Sequence, residues 1–181
     1  MSLERLSRRR VFEGEIVDLY KDTVRLPGGK IEEWDYVHHK KGGGACIVPV
    51  LPDGRILMVR QYRPAVDEWM LELPAGAKDR PDEDPAETAR RELLEETGCR
   101  AETLEHLATV RTAAAYCNEV TAIFLAQPAV PVQAQTLDEA EEITAEAYAL
   151  SDLLAMIAAG ELTDAKSVCG ILAYAARSVV Y

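Results

Sequence analysis

One segment limits the possible folds more than any other: residues 84–98, which read DPAETARRELLEETG. Asp84 suits the N-cap of a helix, because a short carboxylate can accept the first free backbone N–H groups. Pro85 suits the first helical position, and Glu87 completes a capping-box pattern. Gly98 supplies the left-handed residue at which a helix stops. The spacing therefore predicts a helix over Pro85–Thr97, with β-rich sequence on both sides. Mixed strands with few helices indicate an α+β or α/β sandwich.

Before that helix, 11–12 and 16–26 read as strands, followed by a turn at Pro27-Gly28-Gly29 and a return strand over 31–38. Two β-branched runs, 45–51 and 55–62, flank Pro52-Asp53-Gly54 and predict a hairpin. A short strand over 69–73 ends at Pro74-Ala75-Gly76. After the helix come strands near 103–111 and 119–126, an acidic loop over 135–143 and a strand near 144–150. Ser151 is expected to cap a helix that ends at Gly160, and Thr163 or Asp164 to open a last helix towards Val179. The length of 181 residues suits one domain with a proper core.

Within the predicted helix, Glu92, Glu95 and Glu96 are three and four positions apart and reach one side of it. The apolar stripe is Ala86, Ala89 and Leu93, with Glu96 and Glu92 beside it and Glu95 further round. Like charges at the border of a buried face are unfavourable unless a cation neutralises them. Hard oxygen ligands at this density suit Mg²⁺, with Mn²⁺ as the other candidate. A solvated acidic face, with Glu87 pairing Arg91, is the competing reading of the helix alone.

Composition removes several classes of function. The formal net charge of -11 argues against binding to nucleic acid or to anionic membranes, both of which depend on Lys and Arg. No apolar run is long enough to span a membrane, and the basic start is not followed by a signal-peptide core. Cys46, Cys99, Cys117 and Cys169 are scattered without metal-ligand spacing, as expected of reduced thiols in a cytoplasmic protein. His38 and His39 read as strand-end residues and not as ligands.

From Gly76 through Glu83 to Arg91-Glu92-Leu93-Leu94-Glu95-Glu96-Thr97-Gly98-Cys99 the chain resembles the Nudix box, G-x5-E-x7-R-E-U-x-E-E-x-G-U with U apolar. Every fixed position from Glu83 to Cys99 agrees. Six residues, not five, separate Gly76 from Glu83, so the loop carries one extra residue. The resemblance implies a Nudix fold, an α/β/α sandwich of the α+β class with a mixed sheet and a loop-helix-loop catalytic motif. It also implies that Glu92 and Glu96 bind metal together with Glu95 and the carbonyl of Ala75, while Arg91 and Glu83 orient the ligands. In the family the glycine lets the backbone turn into the loop.

The resemblance extends to Val59-Arg60-Gln61-Tyr62-Arg63-Pro64, to Leu71-Glu72-Leu73-Pro74-Ala75-Gly76 and to Gly160–Lys166. These segments look like those of ADP-ribose pyrophosphatases and related nucleoside diphosphate sugar hydrolases. Such proteins form homodimers through an N-terminal antiparallel β domain, here residues 1–42, with the hydrolase domain over 43–181. The similarity implies that Arg63 binds substrate phosphate, with Glu72, Trp34 and Asp35 also at the substrate. For Trp34, plain strand packing is an equal alternative. Glu139 and Glu141 match the position of the general base, Glu141 also that of a further metal ligand, with Glu142 in reserve. A proline frequent in the subgroup is absent from Ala113–Glu119.

The expected substrate is thus a nucleoside diphosphate derivative. Hydrolysis of ADP-ribose to AMP and ribose 5-phosphate comes first; GDP-mannose, another nucleotide sugar or a dinucleotide is the enzymatic alternative. A catalytically silent nucleotide sensor is the alternative of another class.

Overall fold

The computed structural model describes residues 2–137 and 142–180. It opens with three antiparallel strands, β1 (Glu4–Glu13), β2 (Val17–Arg25) and β3 (Ile31–His39), in spatial order β1-β2-β3. β1 is far longer than the two residues expected at 11–12. It is exposed along its whole length, so no apolar alternation betrays it in the sequence. Cross-strand charge holds it in place: Arg8 forks onto Asp22 at 2.6 and 2.7 Å, and Arg25 reaches Glu4 at 2.7 Å.

β4 (Gly43–Pro49), β5 (Ile56–Arg63), β6 (Glu68–Glu72) and β7 (Ala75–Ala77) precede the single long helix of the middle of the chain, α1 (Pro85–Thr97). The turn at Pro52-Asp53-Gly54 forms, with a 2.8 Å bond from Leu51 N–H to the Arg55 carbonyl. The expected hairpin does not continue beyond it. β4 and β5 share only the Val50–Ile56 bridge and then part into different sheets. The physical reason is burial: every residue of β4 is buried, so its partners must be core strands, while β5 is exposed at alternate residues of its second half.

β8 (Cys99–Arg100), β9 (Leu104–Val110), β10 (Val120–Ala126), β11 (Val130–Pro131) and β12 (Ile143–Tyr148) follow, then α2 (Leu150–Ala159) and α3 (Ala165–Val180). The mixed sheet has order β7-β4-β10-β9, with β4 and β10 parallel. A second, antiparallel sheet has order β12-β5-β6, and β8 pairs with β11. Both central strands alternate between two cores. Ala45, Ile47, Ala122 and Phe124 pack with Ala89 and Leu93 of α1, while Cys46, Val48, Ile123 and Leu125 pack with Leu153, Leu162 and Ile171 on the other side. The result is the expected α/β/α arrangement, with strands whose two faces are both apolar.

The caps are local and mostly as expected. Asp84 accepts the Ala86 N–H at 2.9 Å, and Gly98 adopts φ 67 while its N–H returns to Leu94. Glu87 does not close a capping box; its carboxylate turns towards Arg80. Helix α2 begins one residue before Ser151, with Ala149 at the N-cap and no side-chain cap bond. Asp164 precedes α3 and accepts the Ser167 N–H at 3.0 Å.

Candidate functional site

α1 packs against β4 and β10, and this packing brings its acidic border to β7. Glu92 and Glu96 are buried, and Glu96 Oε2 accepts the Ala75 N–H at 3.0 Å. Glu92 lies against Gly76 so closely that a Cβ there would fall 2.0 Å from its Oε1. Gly76 is paired within β7 to Ala45 and is not among the positive-φ glycines, so it is needed for room and not for the turn expected of it. This cradle fits a hard cation: two carboxylates are held against backbone at a point where no side chain intervenes.

Glu95 is farther out and meets Arg91. The Arg91 guanidinium donates to Glu92 Oε1 at 2.6 Å, to Glu95 Oε2 at 3.1 Å and to the Ala77 carbonyl at 3.0 Å. It also stands 3.4 Å from Asp79. Burial disfavours its charge, but Glu92, Asp79 and Glu95 outweigh that and hold it above its ordinary pKa. Arg91 therefore ties the loop after β7 to the carboxylates of α1. Glu83 is buried and accepts the Asp79 N–H at 2.5 Å, so it shapes the loop that contains the extra residue. Among the described residues, no three His, Cys, Asp or Glu side chains converge tightly enough to hold a metal alone. Glu139 and Glu141 lie outside the described residues. Glu142, at their C-terminal edge, is exposed just before β12.

A cleft of about 320 Å³ opens over Ala75, Gly76 and Ala77. Arg63, Asp164 and Lys166 form one wall, and His39, Thr112, Glu119 and Thr121 contribute the other side. Arg63 is at the end of β5, where Glu72 of β6 grips it by a fork of two 2.7 Å bonds. Glu72 is only 2% exposed. Lys166 Nζ takes Glu72 Oε2 at 2.6 Å and Asp164 Oδ1 at 2.9 Å. Burial opposes the Glu72 carboxylate, yet Arg63 and Lys166 together pull its pKa below the ordinary value. Lys166 is likewise disfavoured by burial but raised overall by Asp164 and Glu72.

The sequence-derived candidates thus fall into three groups. Ala75 and Arg63 line the cleft, and Glu96, Glu92 and Arg91 meet its backbone edge at Ala75, Gly76 and Ala77, with Glu95 beside Arg91. Glu72, expected at the substrate, is buried, and both of its oxygens are engaged by Arg63 and Lys166. Trp34 and Asp35 stand apart on β3: Trp34 donates to Glu32 at 3.1 Å, and Asp35 pairs with Lys21 at 2.6 Å. The sequence reading missed Lys166, Asp164 and the cleft position of His39. The segment containing Lys166 and Asp164 carries part of the family resemblance, but no pattern ties Lys166 to Glu72, 94 positions away.

The family description "NUDIX domain" matches residues 40–169. The chain is 33% identical over 167 residues to a Bacillus subtilis protein named ADP-ribose pyrophosphatase, covering 92% of this chain and 89% of that one. It is 33% identical over 171 residues to a Mycobacterium tuberculosis protein of the same name, covering 94% and 82%. A solved structure described as an ADP compounds hydrolase superimposes with a TM-score of 0.82 at 21% identity, over 96% of this chain and 92% of that one.

Proposed function

The chain belongs to the Nudix family and is a Nudix pyrophosphohydrolase; from that premise we propose that it hydrolyses ADP-ribose to AMP and ribose 5-phosphate with Mg²⁺. The observation that carries this reading is the cleft itself. Two buried carboxylates meet the backbone at Ala75 and Gly76, and these two residues line the cleft together with Arg63 and Lys166. A diphosphate needs both kinds of partner. Two relatives similar over most of the chain are named for ADP-ribose.

In this mechanism Glu92 and Glu96 would hold the divalent cation with the Ala75 carbonyl, and Glu95 would add to its surroundings. A divalent cation there would supply positive charge to the phosphate oxygens and favour loss of a proton from water. Arg63 donates to the diphosphate through the guanidinium edge left free by Glu72, a planar match to phosphate. Arg91 keeps the glutamates and the loop after β7 in register. Water oxygen attacks phosphorus, and the bridging P–O bond breaks towards the leaving phosphate. The proton goes to a carboxylate of the acidic loop, Glu139 or Glu141, with Glu142 as the reserve. The described flank of that loop supports this assignment: Thr136 N–H reaches the Glu95 carbonyl at 2.9 Å, and the Gln135 amide also bonds the Glu96 carbonyl.

The proposed partner is a second copy of the chain, joined through residues 1–42. Phe12 and Ile31 are exposed on the N-terminal sheet and Ile16 in the bend between β1 and β2, as apolar residues at an interface would be in one copy alone. Trp34 and Asp35 would then reach adenine in the partner's cleft. Among the described residues no helix is long and apolar enough to cross a membrane, and a cytoplasmic location suits the four free cysteines. The deciding experiment incubates the protein with ADP-ribose, GDP-mannose and diadenosine polyphosphates, with Mg²⁺, Mn²⁺ or EDTA, and separates the products. Metal-dependent release of AMP from ADP-ribose is expected. Cleavage of another substrate in its place would move the specificity, and no cleavage at all would overturn the proposal.

A further inference from the structure

The wall of the cleft is organised around one carboxylate that the proposed mechanism does not use. Asp164 precedes α3, and its two oxygens face different partners. Oδ2 accepts the Ser167 N–H at 3.0 Å and the Ser167 hydroxyl at 2.5 Å. Oδ1 accepts Lys166 Nζ at 2.9 Å. Each of these partners reaches onward to the same place. Lys166 grips the side chain of Glu72 at 2.6 Å, while Ser167 Oγ accepts the N–H of the next residue, Leu73, at 2.7 Å. Ser167 and Glu72 are both buried. Glu72 in turn forks onto Arg63 through both oxygens.

We infer that Asp164 is a positioning residue for Arg63: through Lys166 and Ser167 it fixes the side chain and neighbouring backbone of Glu72, and so aims the guanidinium into the cleft. A carboxylate is required for this, and a helix cap alone is not enough. Asn or Ser at 164 could still cap α3. Neither could both cap the helix and hold the Lys166 ammonium as an anion. With Asn in place, an amide N–H₂ would face Nζ, donor against donor. Lys166 would then pull on Glu72 without a counterweight, and the fork that orients Arg63 would lose its second constraint.

The inference rests on the proposed role of Arg63 at phosphate, so its test uses two independent readings. Asp164→Asn and Asp164→Ser are compared with the unaltered protein by thermal unfolding, by ADP-ribose kinetics and by calorimetry with inorganic pyrophosphate and Mg²⁺. Unfolding temperature is expected to fall modestly, because Lys166 loses a counter-charge, with both variants still folded at the assay temperature. KM for ADP-ribose and the dissociation constant for pyrophosphate are expected to rise about ten-fold, within the usual coupling of a charged network, with kcat changed less. In an Arg63→Ala background, the same substitutions at 164 are expected to add nothing further. Pyrophosphate binding and KM equal to those of the unaltered protein in both variants would overturn the inference. So would losses that simply multiply in the Arg63→Ala background, or losses that track unfolding alone. If the unaltered protein binds pyrophosphate but does not cleave ADP-ribose, the substrate assignment fails, while the effect of Asp164 on pyrophosphate still decides the inference.

Discussion

Glu92 fills the space in which a side chain at position 76 would stand: a Cβ built on Gly76 lies 2.0 Å from Glu92 Oε1 and 2.2 Å from its carboxyl carbon. The backbone at Gly76 does not need positive φ, so alanine there is compatible with the strand but not with the carboxylate. Gly76→Ala is expected to displace Glu92 and abolish most turnover, at a cost in stability of about 1–3 kcal/mol from overpacking. Steady-state kinetics beside urea unfolding checks both parts. Undiminished kcat would show that Glu92 need not occupy this place.

Glu96→Gln separates chemistry from folding. The amide oxygen of Gln can still accept the Ala75 N–H, so the unfolding curve is expected to stay close to that of the unaltered protein. A neutral ligand cannot replace the anion at a divalent cation. Such stabilisation is worth several kcal/mol, so kcat should fall roughly a hundred-fold or more at 1.36 kcal/mol per decade. Full activity in a folded variant would remove Glu96 from the metal site.

The Arg63–Glu72–Lys166 cluster predicts a pH dependence. The folded-state pKa of Glu72 is depressed below the ordinary 4.5. Its contribution to stability is therefore complete above that value and is lost as pH falls through the folded pKa. Unfolding curves of the unaltered protein and of Glu72→Gln should converge as pH drops below 4.5. At neutral pH the variant should be less stable, because the buried cations lose their counter-charge. Equal stability of the two proteins at every pH would contradict the arrangement.

Thiol reactivity should follow burial. Cys169 is exposed, whereas Cys46 and Cys99 are buried, and burial pushes the Cys46 thiol far above its ordinary range. Iodoacetamide on the native protein is expected to label Cys169 first and to spare Cys46 until unfolding, as read by peptide mass spectrometry. Early labelling of Cys46 would place it outside the core.

What the sequence made legible was mostly local. The start and stop of α1 follow from Asp84, Pro85 and Gly98, all within one turn of the residues they control. The box glutamates were legible because a helix converts spacing directly into a shared face. β1 was not, since Glu4 and Arg8 hold it to Arg25 and Asp22 of β2 through charge, and its own residues are exposed throughout and show no apolar period. The parting of β4 and β5 was hidden for a related reason: a turn specifies how a chain reverses, not which sheet each arm joins. Gly76 was visible as a glycine, but its purpose depends on Glu92, which only the packing of α1 brings beside it. Asp164 and Lys166 acquire meaning through Glu72, and nothing in the intervening chain announces that meeting.

The parallel pairing of β4 with β10 has a consequence for the order of synthesis. Gly43 pairs with Val120, and the wall of the cleft waits for Asp164 and Lys166 at the start of α3. Long-range parallel contacts of this kind form late and slowly. On a translating ribosome the whole glutamate motif would emerge well before the residues that brace Arg63. The nascent chain is therefore expected to present the glutamates of α1 while still unable to grip a diphosphate, so diphosphate binding would begin only once Asp164 and Lys166 have been added and folded against Glu72.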